Sequence, residues 1–175
     1  MSYKIGFAIG MIVAVLLGAG LACGILIVTT KNYSLKRDYD ERQELVRGKG
    51  FKYGFFTMLI TNFLLSYLNL YLSKPIMDMS FAMILSMSLG ILVCVHYCIW
   101  KEGYFSLNEK PKTFIALMSV GAAVQYICFA GYLKTGIIID GAITFRGVNL
   151  VLGIMVTFLL IDLLVKSICQ KREDD

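Results

Sequence analysis

Residues 148–168 read VNLVLGIMVTFLLIDLLVKSI, an apolar run of helix length in which Asp162 and Lys166 are the only charges. A spanning helix needs about 20 mostly apolar residues to cross roughly 30 Å of hydrocarbon, so this run reads as a transmembrane helix. Working outward, stretches of the same character run approximately Ile5 to Val28, Tyr53 to Ser73, Met79 to Trp100 and Phe114 to Leu133. The composition agrees: of 175 residues, 58% are hydrophobic and 17% charged, which leaves a water-soluble domain of this length too little polar surface to cover itself. The expected fold is all-α, a polytopic membrane protein in which residues 1–175 form one bundle of five transmembrane helices.

The charges between the runs give the direction. Lys31, Lys36, Arg37, Arg42, Arg47, Lys49 and Lys52 follow the first run, Lys101, Lys110 and Lys112 the third, and Lys166, Lys171 and Arg172 close the fifth. The other side carries only Lys4, Lys74, Lys134 and Arg146. The positive-inside rule then places the N-terminus outside and the C-terminus in the cytoplasm. The net charge of +5 follows from topology and anionic lipid, and calls for no nucleic-acid partner. The first run, with a single Lys4 ahead of a long apolar stretch, reads as a permanent helix and not a cleaved signal. Cys23, Cys94, Cys98, Cys128 and Cys169 all fall in the runs or at a membrane edge, and such an odd set makes no disulfide framework.

Two connections have content of their own. Between the first and second runs, residues 40–48 read as a short cytoplasmic helix with acidic residues early and basic residues late, favourable to its dipole. It either continues into the second span through Gly48 and Gly50 or breaks there. Exposed ion pairs hold such a helix weakly, so Glu41, Arg42, Glu44 and Arg47 are candidate docking residues, toward a second subunit or toward this chain's own inner loop Lys101 to Lys112. Between the fourth and fifth runs, residues 137–145 are too few to span as a helix and read as an external interfacial loop or a shallow re-entrant segment.

Asp40-Glu41-Arg42-Gln43, followed by Arg47-Gly48-Lys49-Gly50-Phe51-Lys52-Tyr53-Gly54-Phe55-Phe56-Thr57, resembles the juxtamembrane segment of uncharacterised small multi-spanning membrane proteins of Gram-positive bacteria. The resemblance covers about a tenth of the chain. It implies a bacterial plasma membrane and carries over no activity.

Small residues recur every four positions in the first run, at Gly6, Gly10, Ala14, Gly18 and Ala22, and in the third, at Ala82, Ser86, Gly90, Cys94 and Cys98. Lipid gives helices no hydrophobic reason to associate, and small side chains let backbones approach closely. Gly10, Gly18 and Gly90 are therefore expected at helix contacts, within the chain or in a homo-oligomer.

The search for chemistry returns little. There is no phosphate-binding glycine loop and no helical pair of histidines, so no catalytic, metal or cofactor residues are expected. Cys94, His96 and Cys98 cannot converge on one metal while their segment stays helical, because a step of two residues turns the side chain about 200°. Polar groups inside a span are costly unless they meet water or a partner, which singles out Asn62, Gln125, His96 and Asp162, with Asp140 in the external loop, as candidate polar lining. Asp162 has two readings, a local ion pair with Lys166 one turn away or a proton or solute site shared with His96.

These features support a non-catalytic membrane subunit or accessory protein, surrounded by lipid and packed against itself or a membrane-protein partner. A small-solute or ion transporter or channel component is the alternative, and an intramembrane enzyme ranks below both. The orientation is checked by single cysteines at Asn32 and Asn108 in a cysteine-free background. Both should resist an impermeant thiol reagent in intact cells, and labelling from outside would invert the topology.

Overall fold

The computed structural model describes the backbone of residues 2–30, 37–72 and 74–173; the side chains of residues 2–12, 14, 15, 19, 171 and 173 lie outside the described set. Five helices follow in order: α1 (Ser2–Thr29), α2 (Glu41–Tyr71), α3 (Met79–Trp100), α4 (Pro111–Leu133) and α5 (Val148–Glu173). A short hairpin, β1 (Ile138–Ile139) with β2 (Ala142–Ile143), and a 3-10 turn at Phe145–Gly147 lead into α5. Among the described residues α2, α3, α4 and α5 are long and apolar enough to cross a membrane, whereas the apolar part of α1 that is described, Leu16–Thr29, is shorter.

By its contacts the chain divides into two compact units, Met1–Asp38 with Ser106–Leu117, and Tyr39–Phe105 with Met118–Asp175. In the first, the end of α1 meets the segment that precedes α4. Thr29 and Thr30 are fully buried and return their hydroxyls to the carbonyls of Leu26 and Ile27, while Lys110 N donates to Thr29 O at 2.6 Å. Arg37 reaches the buried carboxylate of Glu109 at 2.9 Å, and Leu107 N donates to Asp38 O.

In the second unit α3 is central, with α2 packed on one side and α5 on another. The small-residue stripe of α3 explains the first contact. Ala82, Ser86, Gly90 and Cys98 are buried, and α2 offers Gly50 and Gly54 opposite. A Cβ added at Gly54 would stand 2.5 Å from the Gly90 carbonyl oxygen, one at Gly90 would stand 2.7 Å from the Gly54 oxygen, and one at Gly50 would meet the Cys98 sulfur at 2.7 Å. The two backbones touch, and only glycine fits on both sides. At Gly18 an added Cβ would meet nothing within 4 Å among the described residues, so no close helix contact is made there within this chain. Gly10 lies outside the described side chains.

The helix that begins at Glu41 continues without a break to Tyr71, through Gly48 and Gly50. Continuation wins over a break because Gly50 and Gly54 are buried in the contact with α3, which offsets the weak helix propensity of glycine, about 1 kcal/mol each. The segment 137–145 is built on a two-stranded hairpin. Asp140 and Gly141 take positive φ values of 52° and 84°, the pair of left-handed residues of a two-residue hairpin turn. Ile143 is then stitched into the start of α3: its N–H donates to Ile76 O, and its carbonyl accepts from Asp78 N, both at 2.8 Å. Asp78 caps α3 by accepting from Phe81 N at 2.6 Å and holds the entry to α5 by accepting from Phe145 N at 2.7 Å.

Replacing Gly90 by Leu forces overpacking against the α2 backbone, for which about 1–3 kcal/mol is the usual cost and a rigid backbone neighbour makes it the lower bound. The midpoint of thermal unfolding in detergent should fall clearly for Gly90→Leu and stay unchanged for Leu64→Ile, whose side chain is exposed on α2. Equal midpoints for wild type and Gly90→Leu would remove the glycine contact from the account.

Candidate functional site

Two polar clusters sit along α3, one within its last turns and one just past its end. The first begins with spacing. His96 and Trp100 are four apart on α3, and Phe158 and Asp162 are four apart on α5, so each pair occupies one helix face. Where the faces meet, His96 Nδ1 lies 2.6 Å from Asp162 Oδ2, and Trp100 Nε1 donates to Asp162 Oδ1 at 3.4 Å. The His96 ring is packed at 6.1 Å from the rings of both Trp100 and Phe158. Only 10% of the Asp162 side chain is exposed, against 46% of His96. Both carboxylate oxygens are thus engaged inside the helix pair, while the imidazole is open on its far side. With Nδ1 against Asp162, Nε2 is the ring nitrogen left for a further partner.

Lys166 is not the partner of Asp162. Its ammonium lies 3.1 Å from Glu102 Oε1 instead. Asp162 faces α3, whereas the long stem of Lys166 carries its charge one turn further along, past the end of α3, where a carboxylate is available.

Glu102 organises the second cluster. At the C-terminus of α3, Gly103 N donates to Cys98 O at 2.8 Å, the six-to-one bond that closes a helix with a left-handed residue just before it. That residue is Glu102, with φ 59°, a conformation that costs a non-glycine residue of order 1 kcal/mol. Its contacts explain why a side chain is kept there. Oε1 accepts from Lys166 and from Gln170 Nε2 at 2.9 Å, both on α5, and Oε2 lies 3.6 Å from Arg42 on α2. Gln43 Nε2 donates to the backbone oxygens of Glu102 at 3.2 Å and Phe105 at 3.0 Å. Gly103 lies against Val46, whose Cγ1 would be 2.6 Å from an added Cβ.

The start of α2 is thereby fastened to the chain's own Lys101–Phe105 segment. Of the residues singled out for docking, Arg42 takes part, also donating to Lys101 O at 3.4 Å; Arg47 lies over the Tyr39 ring at 3.9 Å; Glu41 and Glu44 are exposed in the first turn. Gln43 carries most of the contact. It was legible as a helix-start signal three residues after Asp40, with which it forms a capping box. Nothing in the sequence marked Glu102.

The other polar residues are elsewhere. Asn62 returns its amide to Met58 O within α2, Gln125 is half-buried on α4, and Asp140 is exposed at the hairpin turn. None joins the His96–Asp162 pair. Cys94 and Cys98 face the glycines of α2 while His96 faces α5. Among the described residues no group of three or more His, Cys, Asp and Glu side chains is placed to hold a metal ion. No family model matches the chain, and neither characterised proteins nor solved structures give a match.

Glu102 lies beyond the span, and its hydrogen bonds from Lys166 and then Gln170, helped by the Lys166 charge, hold its carboxyl below the ordinary value of 4.5. A depressed carboxylate contributes stability that is fully present above its unfolded value and is lost as the pH falls through its folded one. The clasp should therefore loosen only below about pH 4.5. Gln43→Ala, which removes the side-chain half of the box and both loop bonds, should cost about 1–3 kcal/mol at neutral pH. Hydrogen-exchange protection of residues 101–105, taken relative to the intrinsic rate at each pH, should fall in that variant and, in wild type, on acidification; unchanged protection in both would rule the clasp out.

Proposed function

We propose that the chain is a five-span protein of a bacterial plasma membrane, N-terminus outside and C-terminus inside, that works as a small-solute or ion transport component by binding and releasing a proton at His96 and Asp162. The observation that carries this reading is the partner of Asp162. A carboxylate nearly enclosed between two apolar helices is expensive to keep, and a permanent cation would neutralise it for good. Here the partner is an imidazole, the side chain whose charge changes near neutral pH, and it belongs to the neighbouring helix. Protonation of the pair therefore alters the attraction between α3 and α5, which is how a proton would bias one arrangement of the helices over another. In the proposed orientation the pair lies toward the cytoplasmic end of both spans. The family resemblance at residues 40–57 is compatible with this membrane and adds no activity.

A second reading, a non-catalytic accessory subunit, is favoured by α4. Its buried residue among those described is Ala122, and Val120, Val124 and Ile127 are exposed along it, a surface for lipid, a partner helix or a second copy. Tyr126 bonds Thr157 of α5 at 2.9 Å and packs on Gly153, and leaves that face uncovered.

The chain has a single tryptophan, and it touches the site. Trp100 emission from protein in lipid vesicles should change with pH, because its indole bonds the Asp162 carboxylate and packs beside the His96 ring. The charged group in contact with His96 is Asp162 on α5. The titration should vanish in Asp162→Asn and His96→Gln with the size-exclusion profile unchanged, and a vesicle-entrapped pH dye should report proton movement with wild type that Asp162→Asn lacks. Emission that titrates identically in all three proteins would sink the proton-site reading. A proton-silent wild type that retains a partner in mild detergent would leave the accessory reading.

A further inference from the structure

Beside the glycine contact of α2 and α3 runs an apolar groove of about 370 Å³, lined along its length by Phe51, Met58, Met87, Ile91 and Cys94 and ending at Arg47. The groove follows from the sequence. Gly54 and Gly90 draw the backbones together without side chains of their own, so the larger residues one turn away stand as walls around a trough. From Arg47 to Met58 the trough follows α2 for roughly 16 Å at 1.5 Å per residue. It is apolar throughout except at that one end.

The end is unusual in its charge. Arg37 is paired with Glu109, Arg42 with Glu102 and the Lys101 carbonyl, and Arg146 with the carbonyls of Thr135 and Gly136. Arg47 is half-buried, rests its guanidinium on the Tyr39 ring, and has no carboxylate or carbonyl partner among the described residues. A stacked guanidinium still presents its N–H groups edge-on, the geometry that suits a phosphate taken in a bidentate way.

We propose that this groove holds one acyl chain of an anionic phospholipid, with its headgroup phosphate on Arg47. A long apolar trough with one cation at its end matches a ligand that is an apolar chain with one anion at its end. The proposal needs α2 and α3 to lie in a bilayer and is independent of proton binding at Asp162. A protein occupant, such as a second copy, would have to bring both an apolar stripe and a carboxylate to Arg47, whereas anionic lipid is drawn to basic residues at the membrane surface by the leaflet's own charge.

The test places the full-length protein in phosphatidylcholine vesicles carrying a trace of photoreactive lipid, either phosphatidylglycerol or phosphatidylcholine with the same diazirine-bearing chain, and maps the adducts. Phosphatidylglycerol should label the peptides that contain Phe51 to Met58 and Met87 to Cys94 severalfold more than phosphatidylcholine does, because both carry the phosphate but phosphatidylcholine brings a quaternary ammonium that cancels its charge beside Arg47. Arg47→Gln should bring the two lipids level, Arg47→Lys should keep most of the preference, and Asp162→Asn should leave it intact. Equal labelling by the two lipids in wild type, a comparison that needs no variant, would overturn the proposal. So would a bismaleimide that joins two chains through Cys94, since a second copy would then occupy the groove.

Discussion

The contact between the backbones of α2 and α3 at Gly54 and Gly90 is the constraint on which the larger unit depends. Without a hydrophobic drive between helices in lipid, close van der Waals approach has to supply the association, and here each glycine sits against the carbonyl oxygen of the other. That contact orients α3 about its own axis. With Gly90, Cys94 and Cys98 turned toward α2, His96 is left to face α5, and Trp100 follows it one turn on. The polar pair in the membrane region is thus a geometric sequel of the glycines on the opposite face.

The ends of the helices obey the same economy of polar groups. A backbone donor or acceptor left open near lipid costs about as much as a lost hydrogen bond, so helix termini must be closed by side chains or turns. Asp40 closes the start of α2, Asp78 closes the start of α3 while holding the entry to α5, and the left-handed Glu102 closes the end of α3. Asp78 and Glu102 each also join two elements. The conspicuous run from Asp40 to Gln43 has a physical explanation on this basis: the aspartate begins a helix, and the glutamine that completes its capping box also ties that helix to the Lys101–Phe105 segment.

How much of this was legible depended on the range of the interaction. Helix content and the small-residue stripe of α3 could be read because they rest on periodicity within one segment, and Asp162 stood out as a charge inside an apolar run. Gly18 had the same local signature as Gly90 but no matching glycine opposite it in this chain, and a stripe does not name its partner. The choice between Lys166 and His96 as the neighbour of Asp162 depended on helix rotation, which sequence spacing alone does not give. For the hairpin, Asp140-Gly141 between apolar pairs is a strong short-range turn signal, but the flanking isoleucines have the same composition as a piece that lies against a membrane. Glu102 had no local signal, because its value lies in Arg42, Lys166 and Gln170, all distant in the chain.

The unbroken length of α2 has a mechanical consequence. Its 31 residues extend for roughly 46 Å, well beyond a hydrocarbon layer of about 30 Å, so in a bilayer the rod must tilt or protrude. Its protruding turns are tied through Gln43 and Arg42 to Glu102, and through Glu102 to Lys166 of α5. A stiff rod anchored in this way acts as a lever. A change in its inclination would load the joint at Glu102, the residue that links α2 to α5.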